Sequence, residues 1–366
     1  MCHLNKFVET MTSRERVVRT FAFEKTDRVT IGYDANPGID ARLKKALGVA
    51  DDNDEALMVV LGVDYRGIGA RYVGPMLHVV PPERRVNQLE GSISRWIEHG
   101  TGGYWDACDF PLADADDEAF ERFPVPNPDD FDYDAALDRA KSYHGQYALY
   151  IGNPGVPDVI NSNGRIMGME DVLCHLITGN QAAMDFIHRR VAFQFGMLER
   201  LLTKCKGHID FLWLGEDLGT QIAPMISLEL YRSTLKPIHK KFADLAAHFG
   251  IPAMMHTCGS SSWAYEDMID IGIKAVDTLQ PEAVNMSPAY LVEHFGGRLG
   301  FRGCISTAGE LVNGTVDDVT TVCKNTMELM KTCRGYHFAP THQIQDNTPV
   351  ENVVAMYQAA HDYGRY

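Results

Sequence analysis

No run of about 20 apolar residues occurs anywhere in the 366-residue chain, so the sequence offers no membrane-spanning helix. Its first residues, Met1-Cys2-His3-Leu4-Asn5-Lys6, lack the apolar core of a signal peptide. There is no cluster of Lys and Arg interleaved with aromatics. With 49 acidic against 34 basic residues and a net charge of −15, nucleic acid is a poor partner. No Gly-x-Gly-x-x-Gly motif, internal repeat or low-complexity tract is present. The eight cysteines have no framework spacing, which suits a reducing compartment with most thiols free. These absences predict a cytoplasmic enzyme or binding protein with no membrane contact. At 45% hydrophobic and 23% charged residues, the chain has ample material for a globular core.

What is present is a regular alternation of apolar runs and amphipathic helices. A Ser/Thr cap at Thr12-Ser13 opens a first helix over Arg14 to Phe23. Strands are then predicted at 28–33, 63–68, 147–152, 209–215, 251–257, 275–280, 299–304 and 336–341. Helices are predicted at 39–47, 181–204, 228–249, 316–331 and 349–362, the last with Pro at its start. Between Ile93 and Asp114 the pattern changes to alternating Gly, Trp and Tyr, which suggests a hairpin, and Pro124, Pro126 and Pro128 follow as an irregular connection. Eight β-then-α units without a dinucleotide fingerprint predict an α/β fold, a (β/α)8 TIM barrel. One domain over 1–366 is expected, with an N-terminal helical extension and an excursion around 93–128.

In such a barrel, chemistry is built where the strands end. The predicted strand ends carry Gly215-Glu216-Asp217, His256-Thr257-Cys258, Gln280-Pro281-Glu282, Gly303-Cys304 and Thr341-His342-Gln343. On an extended strand the two-residue period puts His256 and Cys258 on one face, which is half of a tetrahedral zinc site. An isolated His-x-Cys is more often a bonded core histidine beside a small buried thiol, but clustering at the rim favours the metal. A third ligand has to come from another strand, and His342 and Cys304 both qualify. Glu216 or Asp217 could bind the metal, orient an imidazole or act as a general base. Cysteines and histidines away from the strand ends, such as Cys174, Cys205, His239 and Cys323, are assigned to core or surface.

The Gly215-Glu216-Asp217-Leu218-Gly219-Thr220-Gln221, His256-Thr257-Cys258-Gly259 and Ala339-Pro340-Thr341-His342 segments, with Thr348-Pro349-Val350-Glu351-Asn352, resemble the uroporphyrinogen decarboxylase superfamily. The likeness extends over most of the chain and includes zinc-dependent corrinoid methyltransferases. That branch implies zinc bound by the His-x-Cys pair and by a Cys in the last strand's loop, where this chain has His342 instead. The decarboxylase branch places a His there but implies arginines after the first strand to hold substrate carboxylates. Gly32-Tyr33-Asp34-Ala35-Asn36-Pro37 supplies none.

The resemblance therefore implies a zinc-dependent methyltransferase moving a methyl group from an O-methyl donor, such as a methoxylated aromatic, to the cob(I)alamin of a corrinoid protein. His256, Cys258 and His342 are the expected metal ligands, with Cys304 in reserve. Glu216 and Asp217 are the expected catalytic acids, and Tyr33, Trp105 and Gln280 the expected pocket wall. A methylcorrinoid:thiol methyltransferase and a metal-independent decarboxylase are the alternatives.

Overall fold

The computed structural model describes residues 4–366; Cys2 lies outside them. Eight strands form one parallel sheet: β1 Thr30–Ile31, β2 Tyr65–Gly67, β3 Ala148–Pro157, β4 Phe211–Gly215, β5 Ala253–His256, β6 Ile273–Leu279, β7 Gly300–Ile305 and β8 Tyr336–Pro340. Their spatial order, β1-β8-β7-β6-β5-β4-β3-β2, is that of an eight-stranded barrel. At the β1/β2 seam the Asp64 amide donates to the Ile31 carbonyl at 2.9 Å, and the Ile31 amide donates to the Asp64 carboxylate at 2.7 Å. The fold is a nearly closed (β/α)8 barrel, and all eight predicted strands occur. No helix among the described residues is long and apolar enough to cross a membrane.

Helix Ser13–Phe21 precedes β1 and is held by a Thr12/Glu15 capping box. It turns Phe21 toward the barrel axis, where the ring lies 5.2 Å from Phe211 and 4.9 Å from His337. Arg16 and Arg28 are buried against Asp64 at 2.6 and 2.8 Å, so this end of the barrel is closed by paired charge. The opposite end, where the strands finish, remains open.

Two local departures have identifiable causes. The continuous helix expected over 228–249 is divided: Leu228–Leu230 leads into a π-helical turn at Tyr231–Leu235, and the α-helix runs over Lys236–His248. Pro237 has no N–H to donate into the preceding turn, which accounts for the widening. The excursion also begins earlier than Ile93. Everything from 68 to 147 separates β2 from β3, with Ile93–His99 and Gly102–Cys108 as its central antiparallel hairpin. A Cβ on Gly102 would strike Asp346, so the hairpin tip abuts the loop that follows β8. Trp96 and Trp105 pair across this hairpin, with ring centroids 5.7 Å apart.

Candidate metal centre and its cavity

A cavity of about 560 Å³ lies at the C-terminal ends of the strands, lined from β3, β4, β5, β6, β7 and the loop after β8. Two motifs from neighbouring strands build its floor. Glu216, immediately after β4, donates its amide to the His256 carbonyl at 2.9 Å, and the Ser260 amide donates to the Thr220 carbonyl at 2.7 Å. Between these anchors the segments approach so closely that a Cβ on Gly219 would collide with the Ser260 backbone. Gly259, at φ 68°, would likewise collide with the backbone of Gly219 and Thr220. This contact fixes where the chain turns after Cys258.

His256 ends β5 and is buried, with Cys258 Sγ 3.4 Å from its Nε2. His342, two residues past β8, brings its ring centroid to 6.1 Å from that of His256. One donor atom from each of His256, Cys258 and His342 lies within 4.8 Å of the others. Among the described residues, these three are the group able to hold a metal ion. Two imidazoles and a thiol suit zinc, and three protein ligands leave one coordination position open. The groups behind them fit that role. Asp277 Oδ2 sits 2.9 Å from His256 Nδ1, and the Thr278 hydroxyl 2.6 Å from the same nitrogen. With its proton directed at Asp277, the ring turns the Nε2 lone pair toward Cys258.

Asp277 is itself held by Arg302, whose guanidinium donates to Oδ1 at 2.5 Å, pairs with Asp34 on its other arm and lies over the Trp213 ring at 4.7 Å. Burial opposes ionisation of Asp277, but Arg302 and His256 outweigh it and hold the carboxyl well below the usual range. For His256, burial works against the charged ring, and the hydrogen bond and charge of Asp277 raise its pKa nonetheless. Desolvation and then the neighbouring His256 lower that of His342. Burial, followed by the charge of Asp217, pushes the Cys258 thiol up.

The remaining predicted residues separate clearly. Asp217 lines the cavity; its carboxylate accepts from the Cys258 amide at 2.8 Å and from Asn161 Nδ2 at 2.7 Å, and lies 3.7 Å from His256 Nε2. Glu216 is fully buried and is absent from the lining. Its two oxygens accept from the Val159 and Ile160 amides, each at 2.8 Å, at the start of helix Val159–Met167, and His239 Nε2 lies at 3.2 Å. It is therefore a helix anchor that ties β4 to the loop after β3. Glu216→Ala removes the acceptor from two buried amides, so stability should fall by roughly 2–4 kcal/mol in urea unfolding. A loss below about 0.5 kcal/mol would show that the anchor is dispensable.

Cys304 is buried within β7 and is not among the converging donors; burial and then Cys333 raise its thiol. Tyr33, Trp105 and Gln280 do not line the cavity. The Tyr33 hydroxyl donates to Asp40 at 2.7 Å, and Trp105 stands on the exposed hairpin. Gln280 Oε1 accepts from the Gly259 amide at 2.7 Å, supporting the turn after Cys258 from behind. Sequence reasoning missed Asp277 and Arg302, although Arg302 is the lone charge of its strand and Asp277 the lone acid of the neighbouring one, a readable sign of a buried pair. It also missed Tyr150, Trp213 and Arg165, which line the cavity. The segment after the first strand carries no arginine, and the cavity's two arginines come instead from β7 and from helix Val159–Met167.

Residues 216–363 match the family model described as uroporphyrinogen decarboxylase (URO-D). No curated protein matches the chain by sequence. Among solved structures, a methyltransferase from Methanosarcina mazei superposes with a TM-score of 0.66 at 14% identity, covering 96% of this chain and 98% of that one. At that identity the likeness concerns the fold. Dispersin B, at a TM-score of 0.39 and 9% identity over 92% of this chain and 99% of that one, is too distant to carry an argument.

Proposed function

We propose, for a chain whose residues 216–363 match the family model described as uroporphyrinogen decarboxylase (URO-D), a zinc-dependent methyltransferase that moves a methyl group from an O-methyl donor, a methoxylated aromatic, to the cob(I)alamin of a corrinoid protein. The observation that carries this reading is the convergence of His256, Cys258 and His342, of which His256 and His342 line the barrel cavity and Cys258 stands behind them. His256, Cys258 and His342 would hold zinc, which would supply a Lewis acid to an ether oxygen, as an aryl ether needs because phenoxide is a poor leaving group at neutral pH. In the transfer the O–CH₃ bond would break with its electrons left on oxygen, the methyl group would pass to the reduced corrinoid as co-substrate, and the phenoxide would gain a proton.

The chain's own groups prepare that step. Asp277 and Thr278 fix the His256 ring from behind, so that Nε2 is left free beside Cys258. Asp217 pins the backbone of Cys258 and, as the predicted acid that lines the cavity, is the group suited to handle the proton. Glu216 acts at one remove by holding the loop after β3 in place.

Incubation with a reduced corrinoid carrier and a panel of methoxylated aromatics tests this directly. Methyl-corrinoid, read from its absorbance, and one equivalent of demethylated product should appear with zinc-loaded protein and vanish after chelation. If methyl flows instead from methyl-corrinoid to an added thiol, the thiol methyltransferase takes its place. Release of carbon dioxide from a carboxylated substrate by metal-free protein, with no methyl transfer from any donor, would establish the decarboxylase.

A further inference from the structure

Three carboxyl groups meet where helix Val159–Met167 begins, and they are unequally supplied with hydrogen bonds. Glu216 accepts from two backbone amides, each at 2.8 Å, and Asp217 from the Cys258 amide at 2.8 Å and Asn161 Nδ2 at 2.7 Å. Both are therefore well satisfied as acceptors. Asp158, the N-cap of the helix, has one long contact, its Oδ1 accepting from the Asn161 amide at 3.3 Å. Its Oδ2 has no hydrogen bond, and the Arg165 guanidinium stops 4.0 Å short of it.

Asp158 also reaches the cavity. The residue is only 3% exposed, yet it lines the cavity, and Oδ2 is not sealed off from it. Its backbone is left-handed, at φ 39°, a conformation that Asp and Asn tolerate best after Gly and that recurs at functional sites. The groups that face it are Glu216 and Asp217 beyond β4, Arg165 on its own helix, Arg190 on helix Gln181–Lys204 and the Cys258 thiol beyond β5. Burial and then Glu216 raise its pKa well above the ordinary carboxyl value.

Building on the proposed methyl transfer, we infer that Asp158 is a further catalytic acid, holding the proton that the leaving phenoxide takes up. The Asp158 O–H bond breaks, a new O–H bond forms on the phenoxide oxygen, and the carboxylate left behind regains a proton from solvent by way of Asp217. Asn161 touches both acids and keeps them side by side. Of two carboxyl groups in one site, the one poor in hydrogen-bond donors serves as the acid.

Asp158→Asn separates this role from helix capping, because Asn caps a helix as well as Asp does and equally tolerates the left-handed backbone. With zinc-loaded protein and a reduced corrinoid carrier, methyl transfer from 2-methoxyphenol should slow by about 100-fold or more in the variant. Transfer from 4-nitroanisole should slow by less than about tenfold, since the nitrophenoxide ion leaves readily without a proton. Unchanged rates with both ethers, as capping alone predicts, or equal slowing of both, overturns the inference. Stability supplies a readout without methyl transfer. A raised carboxyl pKa stabilises the fold at low pH, and that contribution is lost as pH rises through the folded-state value. The variant has no such loss, so its urea midpoint should gain on that of the wild-type protein between about pH 5 and about pH 8. A pH-independent difference overturns the inference. A difference that grows with pH, in wild-type protein that transfers methyl from neither ether, supports the protonated carboxyl and counts against the proposed reaction instead.

Discussion

Cys258→Ala should leave a protein that folds normally and retains little zinc after dialysis against metal-free buffer. Cys258 is the one thiol among the converging donors, and its loss leaves His256 and His342 as a two-ligand site. Removing a supporting residue behind a ligand already costs 10- to 100-fold in metal affinity, so removing the ligand itself should cost more than about 100-fold. Methyl transfer should fall by at least about 100-fold with it, because the leaving phenoxide loses its electrophile. Stability should change little, since the side chain is only partly buried and its backbone remains pinned by Asp217. Cys304→Ala is the matched control: that thiol is buried in β7, and its variant should keep full zinc. Metal analysis of both variants decides the matter, and full zinc occupancy in Cys258→Ala would remove the proposed centre.

The barrel was legible because its strands announce themselves. Most of the eight are short apolar runs between polar or glycine boundaries, and buried parallel strands read that way irrespective of partners, while Val63 to Ile68, with Asp64 and Arg66 inside it, is the weakest of them. The pair His256 and Cys258 was legible for a related reason, since the period of a strand places both on one face. Legibility ended where a residue's role depends on what comes to meet it from elsewhere in the chain. Glu216 and Asp217 are adjacent in sequence, yet one turns into the wall to hold two helix amides and the other turns to the cavity. Nothing in the local pattern distinguishes them, because the difference is set by helix Val159–Met167 and by its missing amide partners. Tyr33 has an equally local explanation: its hydroxyl is taken by Asp40, one helical turn into the following helix. Arg302 is 268 residues from Asp34 and 25 from Asp277, so a cation carried by β7 could not be found by inspecting the loop after β1.

Asp277→Asn should be the most damaging change outside the three ligands, and it should act on two properties at once. Asp277 is buried between His256 and Arg302, with one oxygen on each. An asparagine keeps the shape but removes the charge, so Arg302 is left with Asp34 as its single counterion in a buried setting. Breaking such a pair costs about 3–5 kcal/mol, and stability should fall on that scale. Zinc affinity should fall about 10- to 100-fold, because the amide holds the His256 ring less firmly in the tautomer that frees Nε2. The two effects have different origins and can be separated. Replacing the cation as well, in Asp277→Asn/Arg302→Met, removes the unpaired charge, so stability should recover while zinc affinity stays low. Recovery of both would mean that the metal loss merely followed from unfolding. Native zinc affinity in the single variant would show that Asp277 serves the barrel's charge balance and does not position the ligand.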